Sequence, residues 1–487
     1  MTGTEHFGWI VLLVALVGVA GVLSNRLTEW TRVPAPVIVL AATALVVRFG
    51  PTVHRPSELS VERLVSVALI GILFNGGMGL GRTRFRSAVV QITVVGIAGT
   101  FLTAAAAAAF LHVAVGLGWY PSLLVGTAIA PTDPAVVFAV LGNREVSGLG
   151  GTILEGESGA NDPVGIALMA SLISAGGLSA AAFGHVAGEF LLQMGVGAAV
   201  GVLGGWALLW FMRAVPLPSE GLYPIRTLAC AFGLFGVATV AHGSGFLAVF
   251  VAGIVVGDAR APYKREIEHF HSAIASLGET VAFVVLGLTV DLREIAHLDV
   301  WVPGLALAVV LAVLIRPIAA GVCLIGADLK RNERGFVLFA GLKGAVPLLL
   351  GSSLLAAHVA GTARLYGIVV VVVVFSVAAQ GSLVPKVAAL LKVPMATVDP
   401  QPWAVGIRLN DEPAGAQRFT VAAGSAAHGV AVQDLPDHVW VSLLVRAGHL
   451  VPVTKDTVLQ EADEVLVVGD PDGHTQLGLM FEGPAPG

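Results

Sequence analysis

Between Gly8 and Leu391 the chain runs through a succession of apolar segments, most of them long enough to cross a bilayer and separated by charged, Gly or Pro residues. Hydrocarbon holds no water to satisfy backbone N–H and C=O groups, so such segments fold as helices that close their hydrogen bonds internally. Composition agrees, since 56% of the residues are hydrophobic and only 12% charged, far from soluble usage. The chain therefore reads as a polytopic α-helical membrane protein. Its glycines lie mostly inside the apolar segments, alongside small-residue runs such as Ala104 to Ala109. Lipid gives no hydrophobic drive for helix association, so these small residues predict helices packed backbone to backbone.

A bilayer-length window predicts thirteen spans, at 8–24, 34–49, 62–80, 87–115, 121–142, 152–175, 185–212, 225–242, 244–257, 270–290, 301–326, 335–358 and 364–391. The opening MTGTEHFGW lacks the basic region of a secretory signal and reads as the lead into the first span. Only His242, Gly243 and Ser244 separate the eighth and ninth spans, so one long tilted helix is the alternative there. With an odd count and the C-terminus inside, sixteen Lys and Arg fall in inner loops against five in outer loops (Arg48, Arg55, Arg63, Arg293 and Arg364). That bias predicts an outside N-terminus and a cytoplasmic C-terminus.

After Lys392 the composition changes. Residues 1–392 read as the membrane domain, 393–404 as a Pro-containing linker and 405–487 as a small soluble domain. Val439 to Gly448 and Glu464 to Asp470 are short β-branched runs bounded by Pro, Gly and Asp, which predicts strands.

Two spans carry internal breaks. Pro131 and Pro134 flank Asp133 in AIAPTDPAV, removing backbone donors in mid-span, and GLKGAVP (Gly341 to Pro347) interrupts a later span around Lys343. They are the fifth and twelfth spans, equivalent places in an inverted repeat, and paired broken helices point to a transporter's central site. On the sixth span Ser158 and Asp162 lie four residues apart and share a face, with Asn161 beside them and Glu157 on the adjoining stripe. Carboxylates at membrane depth are expensive and kept mainly where an ion or proton must bind. Asp162, Ser158 and Asn161, with carbonyls freed by the prolines, supply the hard oxygen ligands that a dehydrated monovalent cation requires. Asp162 is the candidate for binding proton and cation in competition. Buried charges need partners, so Glu157 is expected to pair with Lys343, and Glu279 with Arg316.

Other classes find less support. The net charge of −5 suggests no nucleic-acid partner, and Cys230 and Cys323 imply neither a disulfide framework nor a metal site. No cofactor motif is present, and GESGA (Gly156 to Ala160) fails the G-x-S-x-G nucleophile pattern, so an enzyme is not expected. A cation channel, or a ligand-gated K+ efflux protein governed by the soluble domain, is the alternative to alternating access.

TDP, ESGANDP and GLKGAVP, in this order, resemble the monovalent cation:proton antiporters of the Na+/H+ exchanger (NhaP-like) family, and ESGxNDP is closer to its bacterial K+/H+ branch. The resemblance implies about thirteen helices in inverted repeats with two broken crossing helices. Asp162 then matches the transport aspartate, Asn161 its neighbour, and Thr132, Asp133 and Ser158 the remaining ion positions. It further implies electroneutral exchange of H+ for K+ or Na+ and a homodimer. Glu157 and position 343 match a structural Glu to Arg pair, with Lys in place of Arg, and Asn75 stands where many relatives are acidic. The soluble end, through GSAAHGVAVQDL, VRAGHLVP and DTVLQEADEVLVVGD, resembles a TrkA-C (RCK C-terminal) α/β domain. That implies a cytoplasmic regulatory module sensing a small ligand such as cyclic di-AMP, a nucleotide or K+.

Overall fold

The computed structural model describes residues 8, 18–19, 34–49, 56–141, 144–356, 361–397, 416–436, 439–446, 449–468 and 474–483. The first predicted span therefore lies largely outside the described residues, as do 398–404 of the linker and the first residues of the soluble domain. Chain contacts divide into two compact units, residues 1–399 and 400–487.

In the first unit each of the twelve remaining predicted spans is helical. They are α1 (Ala35–Phe49), α2 (Glu58–Ser87), α3 (Val89–Val115), a broken pair α4 (Trp119–Ala128) and α5 (Pro134–Leu141), α6 (Leu149–Ala175), α7 (Ala180–Ala214), α8 (Leu222–Val240), α9 (Gly245–Gly257), α10 (Lys264–Thr289), α11 (Leu298–Cys323), a second broken pair α12 (Arg331–Phe339) and α13 (Ala345–Ala356), and α14 (Thr362–Leu390). Among the described residues seven helices are long and apolar enough to cross a membrane. α6 is not one of them, because Glu155, Glu157, Asn161 and Asp162 lower its hydropathy. The eighth and ninth predicted spans are separate helices. His242 turns the chain at φ 58°, and Ser244 Oγ caps α9 by accepting the Leu247 N–H at 3.3 Å.

Glycine spacing sets one central crossing. Gly77 and Gly81 on α2 face Gly253 and Gly257 on α9, so that a Cβ at Gly257 would lie 2.6 Å from both Met78 O and Gly81 Cα. Only hydrogen fits there, which is the small-residue packing expected in lipid. Apolar side chains also cover outward faces, as at Leu203 and Trp210 (71% and 69% exposed), where acyl chains rather than water form the surroundings.

The two broken spans occupy equivalent places. Each follows a long helix with a π-helical turn (Leu111–Val115 in α3, Leu311–Ile315 in α11) and precedes another long helix, α6 or α14. At one end of the unit a two-stranded ribbon joins β1 (Arg144–Val146), in the loop between α5 and α6, to β2 (Met395–Thr397), which follows α14.

The second unit holds a four-stranded antiparallel sheet of β3 (Ala416–Thr420), β4 (Trp440–Arg446), β5 (His449–Val451) and β6 (Glu464–Val468), in the order β3-β6-β4-β5. Both sequence-predicted strands are present. Ser442 is an extra residue in β4, a bulge that keeps Val441 and Leu444 on the buried face. The helix α15 (His474–Glu482) covers that face through Leu477 and Phe481, the latter stacked on Phe419. Asp463 is fully buried and receives both Nε and Nη2 of Arg446 at 2.8 Å, so its charge is compensated.

Candidate functional site

The unwound residues of the two broken spans cross at the centre of the unit, where the Asp133 N–H donates to Leu342 O at 2.8 Å. Unwinding leaves four helix ends with backbone groups that need partners, and side chains from the flanking helices supply several of them. From α6, Ser158 Oγ donates to Thr132 O at 2.7 Å, and Asn161 both donates to Thr132 Oγ1 (2.7 Å) and accepts the Thr132 N–H (3.3 Å). From α14, Ser376 Oγ accepts the Lys343 N–H (3.1 Å) and Gln380 Nε2 donates to Phe339 O (2.7 Å). The two flanking helices thus service the two breaks in corresponding ways. Ser376 and Gln380 are site residues that the motif reading missed, although their spacing of four inside an apolar span repeats that of Ser158 and Asp162.

Charge is placed where the helix dipoles require it. Asp133 Oδ1 accepts the Ala135 N–H at 2.9 Å, capping the N-terminus of α5, and its carboxylate lies so close to Gly344, at the start of α13, that any side chain there would collide with it. An anion therefore faces two positive helix ends. Lys343, 1% exposed, does the reverse: its Nζ donates to Ala130 O and Pro131 O, both at 3.0 Å, just beyond the C-terminus of α4. Lys343→Ala is expected to destabilise the protein by about 2–5 kcal/mol, because it opens a cavity and orphans two carbonyls. Thermal unfolding in detergent measures this, and unchanged stability would contradict the placement.

Neither expected ion pair forms. Glu157 pairs with Arg316, not Lys343: Nη2 reaches Oε2 at 2.7 Å while Nη1 contacts Oε1, and both residues are buried. A planar guanidinium matches both carboxylate oxygens, whereas an ammonium is a point donor better suited to converging carbonyls. The guanidinium partner of Glu157 is thus supplied by α11. Glu279 does not pair with Arg316 and forms no ion pair with any described residue.

A cavity of about 500 Å³ ends at this crossing. Asp133, Ser158, Asp162, Asn75 and Glu279 line it, and it extends to Glu155 and Arg84, which form an ion pair of 2.9 Å. Thr132, Asn161, Glu157, Arg316 and Lys343 are absent from its wall and form the scaffold behind it. The predicted ligands therefore divide. Asp133, Ser158 and Asp162 face the cavity, while Thr132 and Asn161 satisfy each other. The Asp162 carboxylate makes no hydrogen bond or ion pair with another described residue. Glu279 supplies a second free carboxylate on the wall that also carries Asn75. No group of three or more His, Cys, Asp or Glu residues able to hold a resident metal ion occurs among the described residues.

This frame matches known proteins. The family model for the transmembrane sodium/hydrogen exchanger matches residues 11–390, and that for the TrkA-C domain matches 416–477. The K(+)/H(+) antiporter NhaP of Alkalimonas amylolytica is 31% identical over 409 residues, 83% of this chain and 71% of the relative. The K(+)/H(+) antiporter NhaP2 of Shewanella oneidensis is 32% identical over 391 residues, 78% of this chain and 67% of its own. Among solved structures, the sodium proton antiporter MjNhaP1 of Methanocaldococcus jannaschii at pH 8 superposes with a TM-score of 0.67 at 21% identity, covering 78% of this chain and all of that one. With four-fifths of its length in one family model and the crossing built from that family's motifs, this chain belongs to the sodium/hydrogen exchanger family.

Proposed function

We propose that the protein exchanges K+ for H+ across a prokaryotic inner membrane, one for one, at Asp162. The observation that carries this reading is a buried carboxylate on the cavity wall with no hydrogen-bonding or ionic partner, set among residues that satisfy one another. A carboxylate so placed binds either a proton or a cation. Each excludes the other, and movement of the site between two openings couples their fluxes. Asp133 and Ser158 add oxygens on the same wall, and Glu279 adds a carboxyl group where Asn75 has none. The names of the relatives support antiport over a channel, and support K+ as the cation. Exchange at a single titrating carboxylate is electroneutral.

In inside-out vesicles, K+ is expected to collapse a preformed ΔpH, with Na+ and Li+ less effective, and an imposed membrane potential should not change the rate. A ΔpH unmoved by every alkali cation across the pH range would overturn the reading.

The same reading places the N-terminus outside, the cavity open to the cytoplasm through the Arg84 and Glu155 end, and residues 405–487 in the cytoplasm as a regulatory domain. It takes the protein as a homodimer whose regulatory domain responds to a small ligand such as cyclic di-AMP, a nucleotide or K+. Support for regulation comes from the ribbon of β1 and β2. The linker towards that domain hydrogen-bonds the loop between the Asp133 and Asp162 helices, with Glu145 opposite Ala396 and the Ser147 N–H donating to Pro394 O at 3.0 Å. Alternation in an antiparallel ladder makes Ala396 a donor to Glu145. Ala396→Pro is therefore expected to uncouple ligand from transport rate while leaving K+ dependence intact, read as ligand response in the vesicle assay. An unaltered response would show that the ribbon carries no signal.

A further inference from the structure

The C-terminal ends of α2, α7 and α9 meet around a second cavity, of about 630 Å³, lined by Arg82, Arg86, Arg213, Arg260, Asp258 and Trp206. Four arginines against one aspartate give it a formal charge of +3, and the aspartate accepts the Thr83 N–H. None of the four arginines forms an ion pair with a described residue. Arg84, between them on α2, turns to the transport cavity and pairs with Glu155. Two of the four are held in place: Arg82 lies over the Trp206 ring, 5.2 Å from its centroid, and Arg213 Nε donates to Arg260 O at 3.0 Å. A preference for cations at helix C-termini explains each arginine singly. It does not explain why four converge on one cavity beside an aromatic wall.

The wall indicates what enters. Leu203, Trp206 and Trp210 form one stripe on α7 and are 71%, 48% and 69% exposed, an apolar surface running from the cavity along the outside of the bundle. Tryptophan favours the bilayer interface, where one side of the ring meets acyl chains and the other meets headgroups. Guanidinium groups grip phosphate oxygens in pairs, and basic pockets between membrane helices recognise anionic headgroups. We propose that this cavity binds the phosphate headgroup of an anionic membrane phospholipid, with Arg82, Arg86, Arg213 and Arg260 as donors and the α7 stripe against an acyl chain. Phosphate is the chemistry recognised, and the stripe assigns it to a lipid rather than to a free ion.

The test uses full-length protein, delipidated in neutral detergent and titrated with phosphatidylglycerol, phosphatidylcholine or inorganic phosphate, with Tm and native mass spectrometry as readouts. Phosphatidylglycerol is expected to bind and raise Tm, whereas the other two do neither. In Arg82→Gln/Arg213→Gln its binding weakens about thirtyfold, while Arg331→Gln, an exposed arginine outside the cavity, behaves as wild type. Arg86→Gln/Arg260→Gln is the second pair should the first not fold, and lipid-free Tm is compared throughout. Undiminished lipid binding in a folded pair variant, equal loss in Arg331→Gln, or an equal response to inorganic phosphate would each overturn the proposal.

Discussion

Asp162→Asn is expected to reduce cation-dependent collapse of ΔpH to the level of vesicles without the protein, for every cation and at every pH, while the protein still folds. The substitution keeps shape and removes titration. The polar groups around Asp162 keep their hydrogen bonds without it, since Ser158 is spent on Thr132 O, Asn161 on Thr132, and Lys343 on Ala130 O and Pro131 O. Burying a neutral amide costs less than burying a carboxylate, so Tm should hold or rise. Asp133→Asn provides the contrast. Its carboxylate compensates the N-terminal ends of α5 and α13, so that variant should lose stability as well as rate. Exchange persisting in Asp162→Asn would remove the aspartate from the transport step. Loss of exchange together with unfolding would instead make it a structural residue.

Sequence made the crossing legible because its causes are local. Pro131 and Pro134 cannot donate, and Gly341 and Gly344 disfavour helix, so both breaks follow from residue type. The Ser158 to Asp162 face follows from helical period. What sequence could not show is which distant charges meet. Arg316 and Glu157 lie 159 residues apart, and choosing between Arg316 and Lys343 as the partner needs the depth and direction of α11. The family pattern, which places the cation at position 343, favoured the wrong partner. Ser376 and Gln380 carried a readable signal, two polar residues one turn apart in an apolar span, but no charge to mark them. The arginine cavity was hidden differently, because positive charge at inner helix ends is expected everywhere and only the fold reveals convergence.

Arg316→Met is expected to have the largest effect on stability, about 3–5 kcal/mol, because it leaves Glu157 buried without its fork. Little compensation reaches that carboxylate: its other donor, Thr132 Oγ1, stands at 3.5 Å, and Lys343 is committed to the α4 carbonyls. Arg316→Lys should fall between, since an ammonium meets one oxygen where the guanidinium meets two. The double variant Glu157→Gln/Arg316→Met removes both charges together and should recover most of the loss. Unfolding in detergent for the two single variants and the double closes a cycle whose coupling energy measures the pair. The same cycle on Glu157 and Lys343 should show much weaker coupling. Were the two results reversed, Lys343 would be the partner of Glu157 after all, and the α4 carbonyls would need another donor. Transport in the rescued double variant separates scaffold from site. Glu157 and Arg316 stand behind the cavity wall, so exchange at Asp162 should return with the fold, and a stable but inactive double variant would place the pair in the ion's path.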